Sequence, residues 1–279
     1  MKRLIVRCGL DVASRNICDA ILAAGDWSDL EDAGGMHARR RGDDLMVDIS
    51  VLHIRYDGID EAVKKLFGFE PDLVIFPSEH TSSSGMPALT VHTLGNFHEA
   101  DIGGRPGTLV PAPAAEVSDA LRDINHINTL DDFKVCFEAT HHGPYLRTPA
   151  FFIEIGSDDR HWGDHRAGET LAQVICKGSR GNGFPTMIGI GGGHYCPRFT
   201  ELALTADVNF GSILPNYQLE GRSDEDVARM IGAAMDASSS SVGFIHRKSM
   251  SGAEAARLRR IAESLGYGIL AKDSELAGL

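Results

Sequence analysis

Short apolar runs alternate with amphipathic segments along the chain, and this alternation predicts an α/β fold. The runs that predict strands are rich in β-branched and aromatic residues and cover 4–8, 45–54, 73–76, 134–139, 150–155, 186–190, 241–245 and 268–270. The segments that predict helices repeat apolar residues every three or four positions and cover 13–24, 59–67, 114–124, 168–176, 224–237 and 252–264. We therefore expect a sheet flanked by helices.

Two polar stretches interrupt this alternation. The segment 25–44 is rich in charge and contains Gly34 and Gly35. We expect residues 1–70 to form a small N-terminal α/β subdomain and residues 71–279 to form the catalytic α/β core. The second polar stretch, 78–111, is a long loop beside a predicted strand, and long ordered loops tend to carry function.

The composition excludes several classes of protein. The chain has 279 residues and 43% hydrophobic residues, enough to build a core without disulfides. No apolar run is long enough to span a bilayer, and the N-terminus is too briefly apolar for a secretory signal. The five cysteines are scattered without a CxxC spacing, which argues against a disulfide framework and against a thiolate zinc finger. These features predict a cytoplasmic protein.

The formal net charge of −12 favours, taken alone, an enzyme that acts on small molecules, because contacts with RNA phosphates need positive charge. The charge is unevenly distributed, however. Basic residues cluster at Arg39, Arg40 and Arg41, and again at Arg247 and Lys248. These clusters are candidates for binding tRNA phosphates, and the alternative is that they are solvated faces.

The first histidine segment directly follows the predicted strand 73–76. It places His80 ahead of three consecutive serines, Ser82, Ser83 and Ser84. Ligand sites in open α/β sheets lie at strand ends, so we expect His80 to bind a metal or to move a proton. The serines are candidates for holding an ester carbonyl or a phosphate. The alternative is that they form only a flexible turn.

The second segment contains Glu138, His141 and His142, again at the end of an apolar strand. Zinc prefers imidazole and carboxylate ligands where thiolates are absent, so this cluster suits a zinc site. The following Gly143 and Pro144 argue against a helix, so the ligands would project from a loop. The alternative is that one of the two histidines only hydrogen-bonds within that loop.

The third segment is Gly191, Gly192 and Gly193 followed by His194, after the strand 186–190. Three glycines allow backbone amides to approach an oxyanion or a phosphate, with His194 at the mouth of the loop. Neither a GxGxxG dinucleotide fingerprint nor a P-loop lysine is present. The alternative is that the glycines only form a tight exit from the strand.

Three stretches, TSSSGMPALTVHTLGN, FEATHHGPYLRTPAFFIEIGS and GIGGGHYCPRFTE, closely resemble the D-aminoacyl-tRNA deacylases of archaea and plants. The resemblance extends over nearly the whole chain. It implies hydrolysis of the ester between a D-amino acid and tRNA, including aldehyde-modified adducts, as translation quality control. It also implies a phosphorylase/hydrolase-like or peptidyl-tRNA hydrolase-like three-layer core with an extra N-terminal α/β subdomain. Two zinc ions per chain and a monomeric state are further implications.

These residues suggest a mechanism. Zinc held by ligands among His80, Glu138, His141, His142 and His194 would polarise the ester or activate water, and one of His80, His142 and His194 would act as base. The amides of residues 191–193 and the hydroxyls of residues 82–84 would stabilise the oxyanion. The absence of a GxSxG motif disfavours an acyl-enzyme, and a ribose hydroxyl of the tRNA is an alternative assistant. Steric exclusion of the L side chain would give chiral choice.

Other functions remain open on the sequence alone. A zinc aminopeptidase-like or amidohydrolase enzyme acting on small molecules suits the negative charge and the histidine-rich loops. A nonenzymatic tRNA- or metal-binding protein is a second alternative, which the density of His, Glu and Gly at three strand ends disfavours. A nucleoside phosphorylase is a third, suggested by analogy of fold alone.

Overall fold

The computed structural model describes residues 1–179 and 181–279 and shows a mixed α/β fold. The strands are, in chain order, β1 (Arg3–Cys8), β2 (Ser28–Asp29), β3 (His37–Arg41), β4 (Asp44–Ile49), β5 (Leu73–Thr81), β6 (Ala88–Thr93), β7 (Gly95–Asn96), β8 (Thr108–Leu109), β9 (Lys134–Phe137), β10 (Ala150–Ser157), β11 (Thr186–Ile190), β12 (Asn209–Leu214), β13 (Val242–Ile245) and β14 (Gly268–Leu270). The α-helices are α1 (Val12–Ala23), α2 (Ile59–Phe67), α3 (Ala114–Ile127), α4 (Asp159–Trp162), α5 (His165–Lys177), α6 (Pro197–Thr205), α7 (Asn216–Leu219), α8 (Asp224–Ala237) and α9 (Gly252–Ser264). Short 3₁₀ helices cover His53–Arg55, Arg247–Ser249 and Asp273–Gly278.

The larger sheet has the strand order β2-β3-β4-β1-β5-β10-β6-β9 in the part of the chain that the structure describes. Strands β4, β1, β5 and β10 run parallel, and their inner members are buried on both faces, which explains their nearly continuous apolar sequences. Strand β6 is antiparallel to β10, and β9 is parallel to β6. Strand β9 therefore runs antiparallel to β5, and the two strands end in opposite directions.

Helices cover both faces of this sheet. Helices α1, α3 and α5 bury their apolar stripes against one face, through residues such as Ile17, Leu121 and Leu171. Helix α2 packs against the other face, where Ile59 and Val63 join the apolar side chains of β1, β4 and β5. The alternation of side chains along each strand divides the core between these two layers.

A second, four-stranded parallel sheet has the order β12-β11-β13-β14 among the described residues. Helices α8 and α9 pack against it and begin at serine N-caps: Ser223 accepts from the Asp226 amide, and Ser251 from the Glu254 amide. These caps and the apolar periodicity place both helices where the sequence predicts them, at 224–237 and 252–264.

Other predicted elements differ from the structure. The predicted strand 45–54 ends at Ile49, and a 3₁₀ helix follows. The polar segment 25–44, where the sequence predicts no strand, contains β3, whose Arg39 and Arg41 pair with Asp48 and Asp44 of β4. The segment 78–111, expected to be a loop, contains the buried strand β6.

The predicted boundary at residue 70 crosses the larger sheet. Strand β1 pairs with β4, which precedes this position, and with β5, which follows it. The division into 1–70 and 71–279 stays a prediction. Among the described helices, none is both long and apolar enough to cross a membrane.

Candidate active site

Polar side chains collect on one face of the larger sheet, across β5, β10 and β6. The register pairs Glu154 with Ser78 on one side and with Thr90 on the other, and it pairs His92 with Phe152. Residues directly opposite each other in a sheet project to the same face. The face that is apolar near α2 therefore becomes polar toward the end of β5.

Glu138, which follows β9, is the centre of the cluster and is only 1% exposed. Its Oε2 accepts a hydrogen bond of 2.9 Å from Nε2 of His194, and Nε2 of His141 lies 3.7 Å away. Its Oε1 lies 3.1 Å from Nδ1 of His80. Burial raises the pKa of Glu138, but the hydrogen bonds from His194 and His80 outweigh burial and hold this pKa well below its usual value. Glu138 is therefore an anion at neutral pH.

His80 lies between two carboxylates. Its Nδ1 is 3.1 Å from Glu138 and 3.7 Å from Glu154, and its Nε2 hydrogen-bonds with the Tyr195 hydroxyl at 3.0 Å. Burial lowers the pKa of His80, but the carboxylates of Glu138 and Glu154 raise it to about 10. In the metal-free protein His80 is thus a buried cation.

His141 and His142 are held as neutral imidazoles. His141 Nδ1 lies 2.7 Å from the carbonyl of Ala139, and His142 Nδ1 lies 2.7 Å from the carbonyl of Gly143. Burial lowers the pKa of both rings, to about 3 for His142. His142 also has a φ of 42°, a conformation that costs energy for a residue with a side chain. Such fixed neutral imidazoles present Nε2 to a metal.

The donor set fits a metal ion. Three groups of three donors have their ligand atoms within 4.8 Å of one another: His92, His141 and His142; His80, Glu138 and His194; and His92, Glu138 and Glu154. The buried atom His92 Nε2 has no hydrogen-bond partner among the described residues. Unpaired buried polar atoms are costly unless they coordinate an ion, and imidazole with carboxylate is the ligand chemistry that zinc prefers.

The five expected ligands, His80, Glu138, His141, His142 and His194, come together as one cluster. All four of these histidines line an open pocket of about 380 Å³. Sequence reasoning missed His92 and Glu154, whose signal was an ionisable residue within each of the mostly apolar runs ALTVH and AFFIEI. It also missed Asp11 and His53 in the pocket wall.

The expected serines lie apart from this cluster. Ser82, Ser83 and Ser84 form a turn after β5, where the Ser82 and Ser84 hydroxyls are 3.0 Å apart. The residues that line the pocket end at Thr81 on this strand.

The glycine loop lies beside the pocket, between β11 and His194. The amide of Gly191 donates to the carbonyl of Leu214 at 2.8 Å, and the amide of Gly192 donates to the Ser249 hydroxyl at 2.8 Å. Two of the three expected anion-binding amides are therefore engaged within the protein.

The two basic clusters lie in different places. Arg39, Arg40 and Arg41 belong to β3, where Arg41 opposes Asp44 at the amino-terminal start of β4. Arg41 therefore lies toward the end of the sheet where the parallel strands begin, opposite to the end where β5 finishes. Arg247 and Lys248 follow β13 and are exposed beside the glycine loop.

Comparisons with known proteins cover most of the chain. A family model described as D-aminoacyl-tRNA deacylase matches residues 67–270. A D-aminoacyl-tRNA deacylase of Methanosarcina acetivorans is 35% identical over 99% of this chain and 93% of its own length. Another, of Methanococcoides burtonii, is 36% identical over 100% of this chain, which spans only 58% of that protein. A conserved protein of unknown function, known from a crystal structure, is 28% identical with a TM-score of 0.87, over 96% of this chain and 94% of its own.

Proposed function

This chain belongs to the D-aminoacyl-tRNA deacylase family, and from this premise we propose that it hydrolyses the ester bond of D-aminoacyl-tRNA to free D-amino acid and tRNA. The observation that carries the proposal is the buried anion Glu138, which lies against three histidines, His80, His141 and His194, that line an open pocket. An ester carbonyl that enters this pocket meets a carboxylate, several imidazoles and a candidate metal site together.

Zinc is the cofactor that we propose. The set His92, His141 and His142 would hold the ion, while Glu138 engages His194 and His80. The chemistry that zinc supplies when bound is Lewis acidity toward an ester carbonyl. The support for this proposal is the ligand chemistry and the buried unpaired atom His92 Nε2.

His194 is the residue we propose as general base. Its imidazole lies at the pocket mouth with a third of its surface exposed, while Glu138 holds Nε2 at 2.9 Å. A carboxylate in this position orients the ring and stabilises its protonated form. His194 Nδ1 can then accept a proton from water that attacks the ester. The remaining expected donor, the amide of Gly193, is our candidate for contact with the oxyanion, since the Gly191 and Gly192 amides are already engaged.

The wider context is also part of the proposal. A role in translation quality control, action on aldehyde-modified D-aminoacyl-tRNA, a cytoplasmic location and a monomeric state follow from this activity and from the resemblance of the three motifs. Helices on both faces of the larger sheet support the phosphorylase/hydrolase-like class of three-layer fold. The pocket wall formed by His53, Ile54 and Ile102 is where we place exclusion of the L side chain.

A chiral pair of substrates tests the proposed function. One tRNA is charged with the D and the L form of the same amino acid, and the loss of each ester is followed with the purified protein. We expect rapid hydrolysis of the D ester and slow hydrolysis of the L ester. Equal rates, or hydrolysis only of small esters and peptides, would favour the small-molecule hydrolase instead.

A further inference from the structure

The second sheet ends beside the candidate active site. Its strand order, β12-β11-β13-β14, means that the connection from β11 leads to one side of the sheet and the connection from β13 to the other. Ligands of open parallel sheets bind in the crevice outside the strand ends at such a point. The segments there are the glycine loop after β11, which ends at His194, and the 3₁₀ helix Arg247–Ser249 after β13.

Hydrogen bonds join these segments into one surface. The His246 amide donates to the Ile190 carbonyl at 2.8 Å, and the Gly192 amide donates to the Ser249 hydroxyl at 2.8 Å. Helix α7, which follows β12, is a third segment, and Asn216 connects it to the other two: its amide donates to the Gly192 carbonyl at 2.9 Å and its side chain donates to the Ser249 carbonyl at 2.7 Å. Groups displayed by the three segments are therefore held at fixed positions relative to His194.

Tyr217 is an aromatic residue displayed on this surface. It is 46% exposed, which is unusual for a large aromatic side chain. Its hydroxyl lies 3.4 Å from Nδ1 of His194, so the ring lies at the rim of the pocket. An exposed ring held at one end is a suitable platform for a nucleobase, because every base has a π-face.

Two cations lie on the same surface. Arg247 and Lys248 are exposed, and within residues 1–179 and 181–279 no carboxylate lies at ion-pair distance from either. Many of the chain's other arginines are paired, as Arg257 is with Asp224 at 2.6 Å. In an acidic protein, two unpaired cations beside the pocket form a local site for anions.

A groove of about 560 Å³ extends from these cations along β13 and the start of α6. Its charged walls are Arg198, Arg247 and Lys248 on the basic side, with Glu201 and Asp273 on the acidic side. Both acidic residues are engaged by Arg198. The charges left for a ligand are therefore those of Arg247 and Lys248.

We propose that Tyr217, Arg247 and Lys248, here called the acceptor surface, bind the single-stranded 3′ end of the substrate RNA. Tyr217 stacks on the terminal base while the aminoacyl ester lies in the pocket beside His194. Arg247 and Lys248 contact the phosphates of the preceding nucleotides as the strand leaves the pocket. This inference rests on the proposed function and assigns the path of the RNA across the rim.

The test compares two substrates that share the reacting ester. One is D-aminoacyl-tRNA and the other is the ethyl ester of the same D-amino acid, which has neither base nor phosphate. The double variant Arg247→Ala/Lys248→Ala is expected to lower the ratio of the two kcat/KM values about tenfold, mainly through a higher KM for the tRNA. For the tRNA substrate, the slope of log KM against log salt concentration should also be lower by about 1.4 in this variant. Each single-strand phosphate contact contributes about 0.7 to that slope. The matched control Lys2→Ala/Lys65→Ala removes two exposed cations elsewhere and is expected to leave the ratio unchanged.

Tyr217 is tested by two substitutions. Tyr217→Ala is expected to lower the tRNA to ethyl ester ratio by roughly fivefold or more, the range for loss of one base stacking contact. Tyr217→Phe keeps the ring, loses the hydroxyl near His194, and is expected to retain most of the ratio. Equal losses in the two variants would assign the effect to the hydroxyl and overturn the stacking role. An unchanged ratio and salt slope in the double variant would overturn the phosphate role, while an inactive wild-type protein would instead refute the proposed function.

Discussion

Glu138 and His194 lie 56 residues apart in the chain, and 2.9 Å separates Oε2 of the first from Nε2 of the second. Glu138 follows a strand of the larger sheet, and His194 follows a strand of the smaller one. The amide of Ala139 also donates to the carbonyl of His194 at 2.8 Å. The catalytic cluster thus exists only where the two sheets meet, so contacts between the sheets are part of the site.

His92 is expected to bind metal although it lies within a strand. The ring of His92 stacks on Phe152 with centroids 5.1 Å apart, so His92→Phe preserves packing while it removes both nitrogens. We expect this variant to keep a melting temperature near that of the wild type and to lose zinc affinity by about tenfold or more. Competition with a chromophoric chelator measures the affinity.

The control for His92 is His126→Ala, on the exposed side of α3. This variant should bind zinc like the wild type. Unchanged zinc affinity in a folded His92→Phe protein would remove His92 from the ligand set.

The sequence predicts the donors that follow apolar runs better than those inside such runs. His80, His141 and His194 follow apolar runs, where a polar cluster is visible without knowing the fold. His92 and Glu154 lie inside buried strands, and only the register of β6 and β10 shows that they project to the same face. Register depends on pairing between segments about 60 residues apart, which no local pattern contains.

The same reasoning applies to the fold. Helices α8 and α9 are predictable because their caps and apolar periodicity are local. Strand β3 is not, because the sequence HARRR becomes a strand only when Asp44 and Asp48 of β4 pair with its arginines. Strand β6 lies near Gly85 and Pro87, which locally predict a loop, and its pairing with β10 and β9 overrides that preference.

The serine turn provides a test of where the pocket ends. The triple variant Ser82→Ala/Ser83→Ala/Ser84→Ala removes three hydroxyls that lie outside the pocket lining. We expect kcat for D-aminoacyl-tRNA to stay within about twofold of the wild-type value, because an oxyanion donor is worth 10² to 10³ in kcat. A loss of about a hundredfold in stopped-flow or quench assays would show that this turn closes over the substrate.

Metal removal should abolish activity reversibly. Dialysis against a chelator is expected to lower the rate of D-ester hydrolysis by at least about a hundredfold. Zinc should restore the rate, and Mg²⁺ should not, because Mg²⁺ prefers oxygen ligands in octahedral geometry and the donors here are mostly imidazoles. Full activity of protein shown by elemental analysis to be free of metal would contradict the zinc proposal.

His53 is expected to make stability depend on pH. Burial lowers the pKa of His53 below its usual value of 6.5, and Asp11, 3.5 Å away, only partly opposes this effect. The unfolded chain then takes up a proton below pH 6.5 that the folded protein does not, so the free energy of unfolding falls as pH decreases. Between pH 7.5 and 5.5 this loss amounts to as much as about 1.4 kcal/mol.

The variant His53→Gln removes this titration. Urea unfolding at the two pH values should show a smaller loss of unfolding free energy in the variant than in the wild type. A loss of the same size in both proteins would exclude His53 as the source.

The central claim is that Glu138 organises the catalytic histidines, and single-turnover hydrolysis of D-aminoacyl-tRNA by Glu138→Gln tests it most directly. The control is Glu169→Gln, a carboxylate exposed on α5. His194→Asn, at the pocket mouth, serves as a second variant because its substitution disturbs less buried structure. We predict that Glu138→Gln and His194→Asn each hydrolyse the ester at least about a hundredfold more slowly than the wild type, while Glu169→Gln is unchanged. Wild-type rates in folded Glu138→Gln and His194→Asn proteins would contradict the account.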